Sequence, residues 1–231
     1  VRQGSCALSF ARTFRNRYDL DPDSISVVPS GGTPPSEWIG TAEIDDVRRD
    51  YGVGGDQTVA VFHGNGDYYP NAEAARVIDE EIAPATSADI QFLIAGSGMP
   101  STDHPSVTTV GWVDNLDAFL QSGDVACVPL CRGGGTKLKM FDYLANGLPV
   151  VTTTVGAQGI AIDDGRHGYV HDAVDDEFVD RLDRIATDTA VRERMGKAAH
   201  ELFEERYTWD RIGRRLREAY RGLHDGTHDH E

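Results

Sequence analysis

Short, unbroken apolar runs recur through the middle of the chain: TVAVFHG at 58–64, ADIQFLIAG at 88–96, VTTVGWV at 107–113, DVACVPL at 124–130 and LPVVTTTV at 148–155. They do not alternate apolar with polar, as a strand with one wet face does. Continuous runs of this length suit strands covered on both faces of a parallel sheet. Between them lie segments with helical spacing: NAEAARVIDEEIAP at 71–84, capped by Asn71 and ended by Pro84, NLDAFLQSG at 115–123, and TKLKMFDYLANG at 136–147, with Gly147 at its end. A short strand, GYVHD, follows at 168–172, and helical patterns fill most of 175–223. Upstream, 5–18 reads as a helix, ISVVPSGG at 25–32 as a short strand stopped by Pro29, and TPPSEWIGTAE at 33–43 as a loop or linker.

Strands alternating with helices predict an α/β domain with a doubly wound, Rossmann-like parallel sheet. In such sheets ligands bind outside the carboxyl ends of the strands. The segments to inspect are therefore HGNGDYYPN, GSGMP, GWVDN, LCRGGGTK and TTVGAQG.

Charge narrows the partners. The chain carries 38 acidic and 22 basic residues, a net charge of −16 over 231 residues. That argues against nucleic acid and against an anionic membrane surface. Arginine is common and lysine scarce, a composition resembling that of halophilic proteins, whose negative charge keeps them soluble in salt. A domain fully folded in dilute buffer is the observation that opposes this reading. The three cysteines, Cys6, Cys127 and Cys131, are an odd, sparse set that fits a reducing cytoplasm. No Cys/His pairs have zinc-site spacing, and a metal site is not expected. No apolar run is long enough to span a bilayer, so a cytoplasmic location without a transmembrane segment is the expectation. The first residue is Val, which leaves open a fragment of a longer protein. Three histidines in the tail LHDGTHDHE are read as part of a solvated end.

Against this background GGGTKLK stands out. Two of the chain's three lysines, Lys137 and Lys139, follow directly on Gly133, Gly134 and Gly135. Glycine admits positive φ and close approach of a ligand to the backbone. Thr136 is positioned to cap the following helix, whose N-terminus would offer free N–H groups to an anion. Two cations in a first helical turn oppose the macrodipole, at about 0.3–1 kcal/mol each. A bound anion explains that choice; a solvated surface pair is the alternative. Asp142, three residues after Lys139, either pairs with it or accepts hydrogen bonds from ligand hydroxyls. His63, at the end of an apolar run, is read as packed at a strand end, with a phosphate-binding role as the alternative. His167 and His171 are read as structural.

The stretch VPLCRGGGTKLKMFDYLANGLPVVTTTVGAQGI resembles the donor-binding signature of retaining, GT-B-fold glycosyltransferases of the group 1, or family 4, type. The resemblance extends upstream through VFHGNGDYYPNAEAARVIDEEIAP and FLIAGSGMPSTDHPSVTTVGWVDNLDAFLQSGDVACVPL, and downstream to FEERYTWDRIGRRLREAY, about residues 24–221. It implies the C-terminal half of a GT-B fold. Residues 1–35 would be the end of an N-terminal acceptor domain and a linker, 36–206 the nucleotide-sugar domain, and 207–231 a terminal helix and acidic tail. It implies that Gly64, Asn65 and Gly66 approach a diphosphate, and that Gly111, Trp112 and Val113 read a base through the main chain. Gly134, Gly135 and Thr136, with Lys137 and Lys139 in the catalytic role, would meet the donor phosphates and sugar, and Asp142 the ribose.

Departures from the family pattern are specific. The first acid of its E-x7-E pair is Gly134 here, and the second is the shorter Asp142. The Arg and Lys usual after the first strand are absent, so Lys137, Lys139 and Arg132 would carry that load. The implied activity is transfer of a sugar from a nucleotide-diphosphate donor to an unidentified acceptor, without a metal or other cofactor. The acceptor domain would be missing from this chain or supplied separately. A non-catalytic binding module or half of a split enzyme is the first alternative. An NAD-dependent oxidoreductase is the second, opposed by LIAGSGMP, which lacks a third glycine and an opening helix.

Overall fold

The structure is a computed structural model and describes residues 6–21 and 25–225. In chain order its elements are α1 (Cys6–Tyr18), α2 (Thr41–Asp50), β1 (Thr58–His63) and α3 (Tyr69–Val77), which runs through a π-helical stretch (Ile78–Ile82) into α4 (Ala83–Ala85). Then come β2 (Ile90–Ala95), β3 (Val107–Gly111), α5 (Leu116–Gln121), β4 (Val125–Val128), α6 (Lys139–Ala145), β5 (Val150–Thr153) and β6 (Gly168–His171). Helices α7 (Asp176–Thr187), α8 (Thr189–Arg206) and α9 (Trp209–Asp225) follow.

The six strands form one sheet in the order β3-β2-β1-β4-β5-β6, and every adjacent pair is parallel. This is the doubly wound, Rossmann-like order, whose direction of winding reverses between β1 and β4. Four of the five apolar runs have the burial they predict: every residue of β2, β4 and β5 is buried, and all of β1 except His63, whereas β3, at the edge of the sheet, buries only Val107. The core joins them to Ile78, Phe119, Phe141, Phe178, Leu182 and Phe203 from the flanking helices.

Helix starts are fixed by local chemistry. Asp175, Asp188 and Asn115 each accept a hydrogen bond from a backbone N–H in the first turn of α7, α8 and α5. Replacing Asp188 by alanine is expected to cost about 1 kcal/mol of unfolding free energy, measurable by denaturant titration, because the Val191 N–H loses its acceptor.

Four local expectations are corrected. Residues 25–32 form no strand; only Gly32 makes an isolated bridge, to Thr208, with its N–H donating to the Tyr207 carbonyl at 2.8 Å. The stretch read as a loop ends in α2, a helix with no buried residue. It is fastened instead through Arg48, which donates to the Ser122 carbonyl (2.8 Å) and pairs with Asp124 (2.9 Å). Asn71 is not a cap: α3 begins at Tyr69, with Pro70 in its first turn, where a missing N–H costs nothing. Thr136 is not a cap either. Helix α6 begins at Lys139, its N-cap residue is Leu138, and no side chain caps it. The histidine-rich residues 226–231 lie outside the described residues.

Candidate functional site

The loops after β1 and after β4 open on the two sides of the reversal in the sheet. The loop after β1 is packed backbone to backbone on the loop after β2. A Cβ built on Gly66 would stand 2.1 Å from the Gly98 carbonyl oxygen, and one on Gly96 only 1.7 Å from that of Gly64. These glycines are therefore required by the meeting of two loops, whatever else approaches them. A cavity of about 430 Å³ lies beside them, at the carboxyl ends of β1, β2 and β3. Its walls include His63, Gly64, Asn65, Ser97, Trp112 and Val113. Trp112 is 75% exposed, and its indole Nε1 donates to Asp114 at 3.2 Å. Gly111, at φ +73°, makes the turn that presents this tryptophan at the cavity.

Two further acids, Asp67 and Asp114, also line the cavity. They repel a diphosphate, which points any anion to the other side of the crevice. There the β4–α6 loop brings the lysines. Lys139 reaches across the reversal to α3: its ammonium donates to Asn71 Oδ1 at 2.7 Å and lies 4.0 Å from the centre of the Phe62 ring. Asn71 in turn donates to the Asn65 carbonyl at 2.8 Å, so one amide side chain ties the lysine to the loop after β1. The absent side chain of Gly64 makes the room, since a Cβ there would lie 2.6 Å from Asn71 Nδ2 and 2.8 Å from Lys139 Nζ.

This packing sets the charges. Burial lowers the Lys139 ammonium to about 7, helped by the positive charge of Lys137 and opposed by Asp142. Asp142 is raised to about 6, first by burial and then by Asp117, against the pull of Lys139. Asp142 is not held by Lys139, which bonds to Asn71; its carboxylate faces His63 Nε2 at 3.5 Å. His63 is lowered to about 3, by burial first and then by the charge of Lys139, and is neutral near pH 7. Its Nε2 is buried with no hydrogen-bond partner among the described residues. Its ring meets Tyr143 edge to face at 4.9 Å.

Lys137 takes another course. It is buried, and its ammonium donates to the carbonyls of Gly133, Gly134 and Gly135 at 3.2, 3.3 and 3.0 Å. Arg132 turns to α3 instead, its Nε 3.0 Å from Glu73 Oε2 and its guanidinium over the Tyr69 ring at 5.5 Å. Thr136 packs against Gly159. His167 Nδ1 accepts from the Asp163 N–H at 2.9 Å, and His171 lies 3.1 Å from Asp175, both ordinary packing roles.

The structure thus gathers Gly64, Asn65, Trp112 and Val113 around one cavity, and Lys137, Lys139, Asp142 and the glycine loop on the neighbouring side of the crevice. Three residues of the arrangement escape a reading of the sequence. Asn71 looks like a helix cap, and Asp67 and Asp114 look like surface charge. For the two acids the legible signal is their place directly in loops that follow β1 and β3.

The model of the family described as Glycosyl transferases group 1 matches residues 57–188. A D-inositol 3-phosphate glycosyltransferase of Arthrobacter sp. (strain FB24) is 31% identical over 161 residues, covering 68% of this chain and 36% of the relative. A second protein so named, of Paenarthrobacter aurescens (strain TC1), is 28% identical over 220 residues, 92% of this chain and 48% of its own. The chain therefore spans half or less of the length of these relatives. Among solved structures, Anabaena Alr3699/HepE in complex with UDP and glucose superimposes with a TM-score of 0.65 at 14% identity, over 79% of this chain and 53% of that one. The C-terminal domain of a group 1 glycosyl transferase, LpcC, from Francisella tularensis superimposes with a TM-score of 0.53 at 14% identity, over 77% of this chain and 96% of that domain. The chain belongs to the group 1 glycosyltransferases, and its parallel sheet is the C-terminal, Rossmann-like half of their GT-B fold.

Proposed function

We propose that this chain is the donor-binding half of a retaining glycosyltransferase that takes its sugar from a nucleotide diphosphate. The observation that carries the reading is Lys139, an ammonium drawn into the crevice at the reversal of the sheet and fixed there by Asn71. A half-buried cation with a lowered pKa is costly in the empty site and is stabilised when an anion arrives.

The nucleoside occupies the cavity at the ends of β1–β3, against Trp112 and Val113. The diphosphate lies over the reversal, between Lys139 and the loop Gly133–Thr136. Asp142 accepts hydrogen bonds from the ribose hydroxyls. In the reaction the bond from the sugar's anomeric carbon to the phosphate oxygen breaks, and its electron pair leaves with the diphosphate. Lys139 stabilises the charge that develops on that oxygen. The anomeric centre passes through oxocarbenium character and bonds to the oxygen of an acceptor hydroxyl, whose proton passes to the departing phosphate oxygen. The acceptor is held by residues beyond those this chain shares with its relatives. A stand-alone or split donor-binding module is the second reading, favoured by the chain's spanning half or less of those relatives.

Nucleoside diphosphates are expected to bind equally well in EDTA and in magnesium or manganese, as read by calorimetry. Binding that requires the divalent ion contradicts a site built on lysine alone. No helix among the described residues is long and apolar enough to cross a membrane.

A further inference from the structure

The two lysines of the β4–α6 loop have different partners. Lys139 meets a side chain from across the crevice, at Asn71. Lys137 meets the carbonyls of the three residues Gly133, Gly134 and Gly135 of its own loop, all within 3.3 Å. An ammonium has three protons to donate, and three carbonyls of one loop stand within hydrogen-bond distance of it. Lys137 is as buried as a core residue, 9% exposed, so its charge depends on those oxygens for solvation.

The loop around it has a shape that needs explaining. Gly133 stands at φ +119° and Gly135 at φ +73°, conformations that side-chain-bearing residues rarely adopt. A Cβ on Gly134 or Gly135 would meet nothing within 4 Å, so one flank of the loop faces open space. The backbone N–H groups of Gly134, Gly135 and Thr136 donate to no acceptor among the described residues. Carbonyls gathered on one cation and amides left unused beside an open flank make an anion-binding concavity of main-chain donors.

We propose that Lys137 is a positioning residue: its ammonium gathers the carbonyls of Gly133, Gly134 and Gly135 and so holds the loop's amides ready for the donor diphosphate, while Lys139 supplies the side-chain charge. This inference rests on the donor-binding reading above for its ligand, but the loop geometry stands apart from it. It also alters the reading in which both lysines touch phosphate.

Backbone nitrogen relaxation on the nucleotide-free chain tests the loop directly. In Lys137→Met the order parameters of Gly133–Thr136 are expected to fall from the ~0.85 of rigid backbone to below about 0.6, with the sheet unchanged. Affinity for UDP or GDP falls about tenfold, and affinity for the bare nucleoside does not move. In Lys139→Met the diphosphate affinity falls while the loop's order parameters stay as in wild type. Unchanged order parameters in Lys137→Met overturn the proposal. Wild-type protein that binds no nucleotide removes the donor reading and leaves the relaxation result to stand by itself. Should Lys137→Met not fold, the wild-type chain still decides, because with only three lysines its ammonium groups resolve by NMR. The Lys137 signal is expected to show hydrogen-bonded, slowly exchanging protons and to keep its place when UDP or GDP is added, while that of Lys139 moves. A Lys137 signal that moves with that of Lys139 contradicts the assignment.

Discussion

Replacing Lys139 by alanine is expected to weaken binding of a nucleoside diphosphate about 30-fold, roughly 2 kcal/mol, within the range for hydrogen bonds to charged groups. Bare nucleoside should bind almost as before, because the cavity against Trp112 and Val113 is formed by other elements. The pH dependence carries the same signature. With the ammonium lowered to about 7, Lys139 is charged below that pH and neutral above it. A diphosphate prefers the charged form, so binding takes up a proton, and affinity falls as pH rises from about 7 towards the bound-state pKa. Over the same range Lys139→Ala should bind weakly and without that slope. Calorimetry at a series of pH values checks both. A wild-type affinity that is flat from pH 6.5 to 8.5 removes Lys139 from the site. High salt is a useful control: at 1 M the Debye length is about 3 Å, which suppresses long-range attraction but not a direct, half-buried contact.

The second large effect is expected at Asp142. Asp142→Ala should weaken nucleotide binding by about 1.5–3 kcal/mol, while Asp142→Glu, which restores the family's longer carboxylate, preserves it. The sequence leaves Asp142 with two roles, partner of Lys139 or acceptor for ligand hydroxyls. The structure leaves the first only as attraction at a distance, since the ammonium is bonded to Asn71 and the carboxylate faces a neutral histidine. Because the carboxyl titrates at about 6, its contribution should fade below that pH. An Asp142→Ala protein with an unchanged dissociation constant contradicts the assignment.

How much of this was legible depends on where each signal lies. Strands buried on both faces announce themselves, because a run such as IQFLIA, polar only at Gln91 and too short for a typical helix, fits a strand covered on both sides. Helix α2 gave no such signal. Its TAEIDDVRRD has no fully buried residue, and its Arg48 bonds to partners 74 and 76 residues away. The run ISVV misled in the opposite direction, since six strands already complete the sheet without it. In the site, the rarity of lysine and the glycine run marked the β4–α6 loop, and Gly111, Trp112 and Val113 followed from the family resemblance. The division of labour between the lysines did not. Lys137 and Lys139 are two residues apart and chemically identical, and only the crossing of the loops shows that one faces Asn71, 68 residues upstream, and the other its own carbonyls.

The central claim is that the reversal of the sheet holds the diphosphate of a nucleotide donor. A crystal structure of the chain with UDP or GDP in EDTA tests it most directly. A base is expected against Trp112 and Val113, a β-phosphate within hydrogen-bond distance of Lys139 Nζ and of the amides of the Gly133–Thr136 loop, and Lys137 still ringed by its three carbonyls. A nucleotide bound with its phosphates away from Lys139, or density that appears only when a divalent metal is added, would contradict it.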